Sequence, residues 1–179
     1  MIPDGDELTV LIHDRRIVLE TTGAGRHTIP IGPISLLDDV FERRDPPATS
    51  QLTNALGMVH DHLDDVLIEA PTVAATPSIL FGGHHARSLA QVEIGSVELP
   101  NTCRIGRAAI DEVFRTIVAE GPAERRHNPG LDDAHLDTIV ATCCIVLAIM
   151  RRLALHDAVF ADAVPDETGP ATNGDEDVI

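Results

Sequence analysis

Hydrophobic and polar residues alternate at the start of the chain. Glu7 to His13 reads Glu-Leu-Thr-Val-Leu-Ile-His and Arg16 to Thr22 reads Arg-Ile-Val-Leu-Glu-Thr-Thr. Two such runs, rich in Val, Ile, Leu and Thr, predict a pair of strands with Asp14-Arg15 as the hairpin turn between them. Gly23-Ala24-Gly25 breaks the run, and His27 to Ile31 predicts a third strand. From there the period lengthens. Ile34 to Phe41 predicts a short helix that stops before Asp45-Pro46-Pro47, because the residue ahead of a proline is steered out of helical backbone. A longer helix follows, capped by Thr49 or Ser50, with Leu52, Ala55, Leu56, Val59, Leu63, Val66 and Leu67 on one face.

Thr72 to Ala75 predicts a short buried strand. Between Arg107 and Glu120, Ile110, Val113, Phe114, Ile117 and Val118 recur at helical spacing, and Gly121-Pro122 supplies the stop. Asn128-Pro129-Gly130-Leu131 makes a turn. Asp132 or Asp133 then caps a helix start, and Leu136, Ile139, Cys143, Val146 and Met150 mark its apolar face. After Leu155 the pattern decays, and no internal repeat is present.

Charge narrows the picture. The chain has 179 residues, enough for one domain with a real core, and its 13 cations are all Arg against 29 acids, for a net charge of -16. Such a chain is repelled by nucleic acid, anionic membrane and polyphosphate unless its arginines cluster. Residues 161–179 carry six acids and no base, the composition of a disordered acidic tail. Met1 to Glu7 lacks the basic and apolar regions of a signal peptide, and the apolar run Ile139 to Met150 is too short to span a bilayer. Cys103, Cys143 and Cys144 match neither a zinc spacing nor an even disulfide framework, which predicts reduced thiols and a cytoplasmic protein.

Four segments then stand in a fixed order: Thr28-Ile29-Pro30-Ile31-Gly32, Asp45-Pro46-Pro47, Arg104-Ile105-Gly106-Arg107-Ala108-Ala109-Ile110-Asp111-Glu112, and Asn128 through Val140. This series resembles the C-terminal half of the catalytic region of the exopolyphosphatase/guanosine pentaphosphate phosphatase (Ppx/GppA) family, over roughly residues 7 to 155. The resemblance implies an actin-like, ribonuclease H-like single α/β domain, of the class shared by sugar kinases, Hsp70 and actin. A mixed sheet with helices packed on it would occupy residues 1–160, ahead of the tail. The same resemblance implies the second of two domains that close on a cleft. In that family each domain contributes a glycine-rich phosphate loop, and a Glu from the first domain activates water with a divalent metal, Mg²⁺ in an active enzyme. No counterpart of the first domain, its loop or its Glu is read in this chain.

The resemblance also places candidate phosphate-binding residues. Counting back from the Asp14-Arg15-Arg16 turn puts the second phosphate loop at Ile2 to Glu7, where only Gly5 matches the family's glycines and three carboxylates replace the rest. Each would repel a phosphoanhydride by about 1 kcal/mol even in water. Gly82-Gly83-His84 is similar to the family's Gly-Gly-Thr turn, with His84 in the Thr position; a second alignment puts Thr76-Pro77-Ser78 there. Gly82 and Gly83 serve either as a turn and helix start or as a ligand loop. The family's usual Arg falls at Ser35 and its acid at Asp38.

Metal ligation is disfavoured by spacing. In His60-Asp61-His62-Leu63-Asp64-Asp65 only residues four apart share a helix face, and adjacent His84 and His85 point apart if helical. Cys143 and Cys144 read as core, and no Ser, His and Asp set has nucleophile spacing. No catalytic residue is therefore assigned.

Two functions follow from the resemblance. One is a non-catalytic member of the family that keeps the fold as a structural or regulatory subunit. The alternative is phosphoanhydride hydrolysis, of polyphosphate or guanosine pentaphosphate, by one half of a split enzyme or by an N-terminally truncated one. Loss of the neighbouring domain also predicts an unpaired strand edge at Glu7 to His13, and hence a homodimer or a complementary protein chain.

Overall fold

The computed structural model describes residues 7–161, so Gly5, most of the acidic tail and the N-terminal segment lie outside the described residues. Six strands form one sheet: β1 (Glu7–His13), β2 (Arg16–Thr21), β3 (Gly25–Ile29), β4 (Ser78–Gly82), β5 (Thr102–Gly106) and β6 (Asp157–Ala161), in the spatial order β3-β2-β1-β4-β6-β5. β1, β2 and β3 form an antiparallel meander, β1, β4 and β6 run parallel, and β5 pairs antiparallel to β6 at the far edge. This is the mixed sheet of the actin-like, ribonuclease H-like class.

Alternation puts one face of the sheet into the core. Leu8, Val10 and Ile12 of β1 stand beside Ile17 and Leu19 of β2, Ile79 and Phe81 of β4, and Phe160 of β6, all buried. Phe81 and Phe160, paired in register, stack with ring centroids 5.3 Å apart. The helices are α1 (Pro33–Ser35), running into a wider π turn at Leu36–Val40, α2 (Thr49–Glu69), α3 (His84–Ile94), α4 (Arg107–Ala119), α5 (Pro122–Arg125) and α6 (Ile139–Arg152). Every residue of α6 from Ile139 to Met150 is buried, because α1, α2, α3 and α4 surround it. A helix apolar on all sides can only sit inside.

Several sequence expectations are corrected. Thr72 to Ala75 is not a strand but part of a 3₁₀ turn, Pro71–Ala75, and the strand is β4 just beyond Pro77. β5 and β6 were not expected: Thr-Cys-Arg-Ile-Gly has a single buried position, and β6 begins where the helical pattern ends. The third strand lies two residues earlier than expected and ends before Pro30, which has no N–H to give a ladder. Neither Thr49 nor Ser50 caps α2. The N-cap is Ala48, whose N–H donates to the Gln51 side-chain oxygen at 2.8 Å, while the Gln51 amide donates to the Phe41 carbonyl at 3.1 Å. Asp132 does cap, but it caps the 3₁₀ turn Asp133–His135 ahead of α6.

The largest correction concerns β1. It is not an open edge but a central strand, hydrogen-bonded to β2 on one side and β4 on the other. Among the described residues the edges are β3 and β5. The argument for dimerisation through Glu7 to His13 therefore loses its premise. Among the described residues no helix is long and apolar enough to cross a membrane.

Candidate functional site

In a sheet with parallel strands, ligands gather where the strands end, because loops and helix N-termini converge there. β1 ends at the Asp14-Arg15 turn and its parallel neighbour β4 ends at Gly82-Gly83. Gly82 is the last residue of β4, in register with Leu11. Gly83 is the N-cap of α3, with φ +94°, and a Cβ there would stand 2.8 Å from the Ile12 carbonyl oxygen. Both the left-handed backbone and the close approach to β1 demand glycine. The strand-to-helix turn thus falls at Gly82-Gly83, not at Thr76-Pro77-Ser78.

The segment after β3 braces the hairpin from the other side. Ile34 N–H donates to the Asp14 carbonyl at 2.8 Å, and a Cβ on Gly32 would be 2.4 Å from the carbonyl oxygens of His13 and Asp14. Ser35 accepts from Gly32 N–H at 3.3 Å. Asp38 pairs with both Arg15 and Arg43, each at 2.7 Å, and the Arg15 hydrogen bond in particular holds its carboxyl below the usual range. A cleft of about 560 Å³ opens here, lined by His13, Asp14, Arg15, Arg16, Ile34 and His84.

Three histidines meet at this cleft. His84 and His85 open α3, and their ring centroids lie 4.1 Å apart rather than pointing away from each other. Asp14 Oδ1 lies 2.9 Å from His85 Nε2 and 3.2 Å from His84 Nε2. His135, from the turn before α6, brings Nε2 to 2.9 Å from His84 Nδ1, and its own Nδ1 sits 2.7 Å from Asp132 Oδ1. His85 is buried, with only 2% of its surface exposed, and its Nδ1 has no hydrogen-bond partner among the described residues. Burial, then the adjoining His84 and His135, pushes the His85 imidazolium down to about 4 against the pull of Asp14. The His85 hydrogen bond in turn lowers the Asp14 carboxyl. At neutral pH the group is a neutral imidazole held by a carboxylate.

Of the sequence candidates, His84 lines the cleft and Gly82 and Gly83 form the turn that leads into it, while Gly5 is outside the described residues. Glu7, placed by sequence in a phosphate loop, is the first residue of β1, at the opposite end of that strand from the cleft. His60 Nε2 donates to the Ala148 carbonyl, 3.0 Å away, and Asp64 pairs with Arg152, so that histidine-rich stretch does not converge on a shared point. Cys143 and Cys144 are buried in α6, and burial raises both thiols, Cys144 to about 12. The convergence of Asp14, His85 and His135 was missed, since the residues are far apart in sequence. The one local signal was a His-His pair directly after a strand-ending Gly-Gly.

No protein-family model and no curated protein matches the chain. Solved structures do. An exopolyphosphatase-like protein superposes with a TM-score of 0.77 at 15% identity, over 89% of this chain and 57% of its own. The Aquifex aeolicus member of the Ppx/GppA family gives 0.75 at 16% identity, over 89% and 53%. An exopolyphosphatase from Cytophaga hutchinsonii gives 0.68 at 17% identity, over 89% and 54%. The chain spans a little over half the length of each. It has the actin-like fold of the Ppx/GppA structures, as the sequence resemblance implied.

Proposed function

We propose that this chain is a Ppx/GppA-type domain that does not hydrolyse phosphoanhydrides by itself and acts as a structural or regulatory subunit. The observation that carries this reading is the turn at the end of β1, where parallel strand ends converge on the cleft. A phosphate loop needs glycines, so that backbone N–H groups turn towards phosphate oxygens. Here a two-residue hairpin presents the Asp14 carboxylate instead, clasped by His84 and His85 and backed by Gly32. A contact with a second chain, of the same or another kind, would use the sheet edges β3 and β5 rather than β1. No membrane or nucleic-acid partner is proposed for a chain of this charge.

The alternative is a hydrolase in which a second domain or chain supplies the water-activating carboxylate and the other phosphate loop. The glycine turn at Gly82-Gly83, leading into the α3 N-terminus beside the cleft, favours it, as does Arg16 on the cleft wall. A phosphate-release assay separates the two. With polyphosphate or guanosine pentaphosphate and Mg²⁺, the purified chain is expected to give no turnover, because water activation and charge stabilisation each supply orders of magnitude of rate. Release faster than about 1 per second, within the ordinary enzyme range, would establish the hydrolase reading instead.

A further inference from the structure

The geometry points to a transition-metal site: His84, His85 and His135 form the donor set for one divalent cation of the zinc class at the mouth of the cleft. One ring nitrogen of each lies within 4.8 Å of the other two. Ligands of one tetrahedral zinc, bound at about 2.0–2.1 Å, stand roughly 3.3 Å apart, so small ring rotations suffice.

Proton placement makes the case stronger. Asp132 lies 2.7 Å from His135 Nδ1, which puts that ring's proton on Nδ1 and leaves a lone pair on Nε2. Asp14 Oδ1 lies 2.9 Å from His85 Nε2, which places that ring's proton on Nε2, and it also stands 3.2 Å from His84 Nε2. The nitrogens left over are His84 Nδ1 and His135 Nε2, facing each other at 2.9 Å, and His85 Nδ1, buried without a partner among the described residues. His84 Nδ1 and His135 Nε2 share a hydrogen bond in the absence of metal, and a cation between them would take both lone pairs once that proton is released. Carboxylates behind metal-bound imidazoles are also the usual arrangement for fixing the tautomer and raising ligand basicity, and Asp14 and Asp132 hold these positions.

All-imidazole donors suit zinc, nickel, cobalt or copper, and not Mg²⁺, which takes oxygen ligands. The cation would tie the hairpin, the start of α3 and the turn before α6 together, with three protein ligands leaving a position for water or an anion from the cleft. The site stands independently of the function proposed above, since neither a subunit nor a hydrolase role requires it.

The test is a Zn²⁺ titration of tag-free, chelator-stripped protein by calorimetry, with Co²⁺ absorption spectra to read the ligand field. One Zn²⁺ per chain is expected. His84→Ala and His135→Ala, partly exposed positions where folding can be verified by circular dichroism, should each lower affinity by more than the roughly 10–100-fold that loss of an outer-shell partner costs. His62→Ala should leave it unchanged. Zn²⁺ but not Mg²⁺ should raise the melting temperature, by mass action on the folded state. Absence of Zn²⁺ binding, or binding that survives both His84→Ala and His135→Ala, would overturn the assignment.

Discussion

Replacing Asp45 by Ala is expected to destabilise the protein by about 3 kcal/mol. Arg125 is fully buried, with 0% exposure. Its Nη1 donates to Asp45 Oδ2 at 2.8 Å, its Nη2 approaches Asp45 Oδ1 at 2.7 Å, off the line of a good hydrogen bond, and its Nε donates to the Ile117 carbonyl at 2.9 Å. Removing the carboxylate strands a guanidinium among apolar groups. Asp45 is itself 21% exposed, so water can reach the vacancy, which places the cost at the low end of the range for broken buried pairs. Arg125→Met combined with Asp45→Asn removes the charge together with its partner and should recover most of the loss. Urea denaturation measures both; a single-variant cost below about 1 kcal/mol would mean that the pair contributes little.

Gly130→Ala should cost at least as much, about 3 kcal/mol or more. A Cβ there would stand 1.9 Å from the Gln91 carbonyl oxygen and 2.4 Å from its carbon, and a backbone atom of α3 cannot rotate aside. The turn is fixed on its other side by Gly130 N–H donating to Asn128 Oδ1 at 2.9 Å. Gly57 is the contrast. In the interior of α2 its Cβ would meet nothing, so Gly57→Ala should stabilise by about 0.5–1 kcal/mol through helix propensity. Thermal melts of the two variants should move in opposite directions, and a Gly130→Ala protein that melts with the parent would show that the α3 contact is loose.

The regular, strongly patterned elements were legible in sequence. β1, β2 and α4 fall almost where alternation and helical period put them, because each has one dry face that the pattern records. β5 and β6 were not, since strands of five residues carry too few alternations to stand out. The π turn at Leu36–Val40 was hidden inside a helical pattern that it satisfies equally well. The order of motifs carried the fold class, yet counting residues along them could not show which strand ends meet, because position in a sheet depends on which strands are neighbours. That β1 is central is a fact about β4, some seventy residues away.

The site was legible only in part. Gly82, Gly83 and His84 could be picked out because glycines before a helix have a local meaning. His135 could not, since its pairing with His84 spans 51 residues and is made by the packing of α3 against α6. The rule that adjacent helical residues point apart also failed at His84 and His85. They occupy the first turn of α3, after a left-handed Gly83, where no earlier turn of helix constrains their rings and Asp14 draws both towards one oxygen.

The central claim is that the hairpin at the end of β1 is a carboxylate clasp and not a phosphate loop. Amide chemical shifts in a ¹⁵N-labelled sample titrated with tripolyphosphate and Mg²⁺ test it most directly. The account predicts no saturable shifts at Asp14, Arg15, Gly83 or His84. Saturable shifts confined to those four amides would show that phosphate is gripped there and would contradict it.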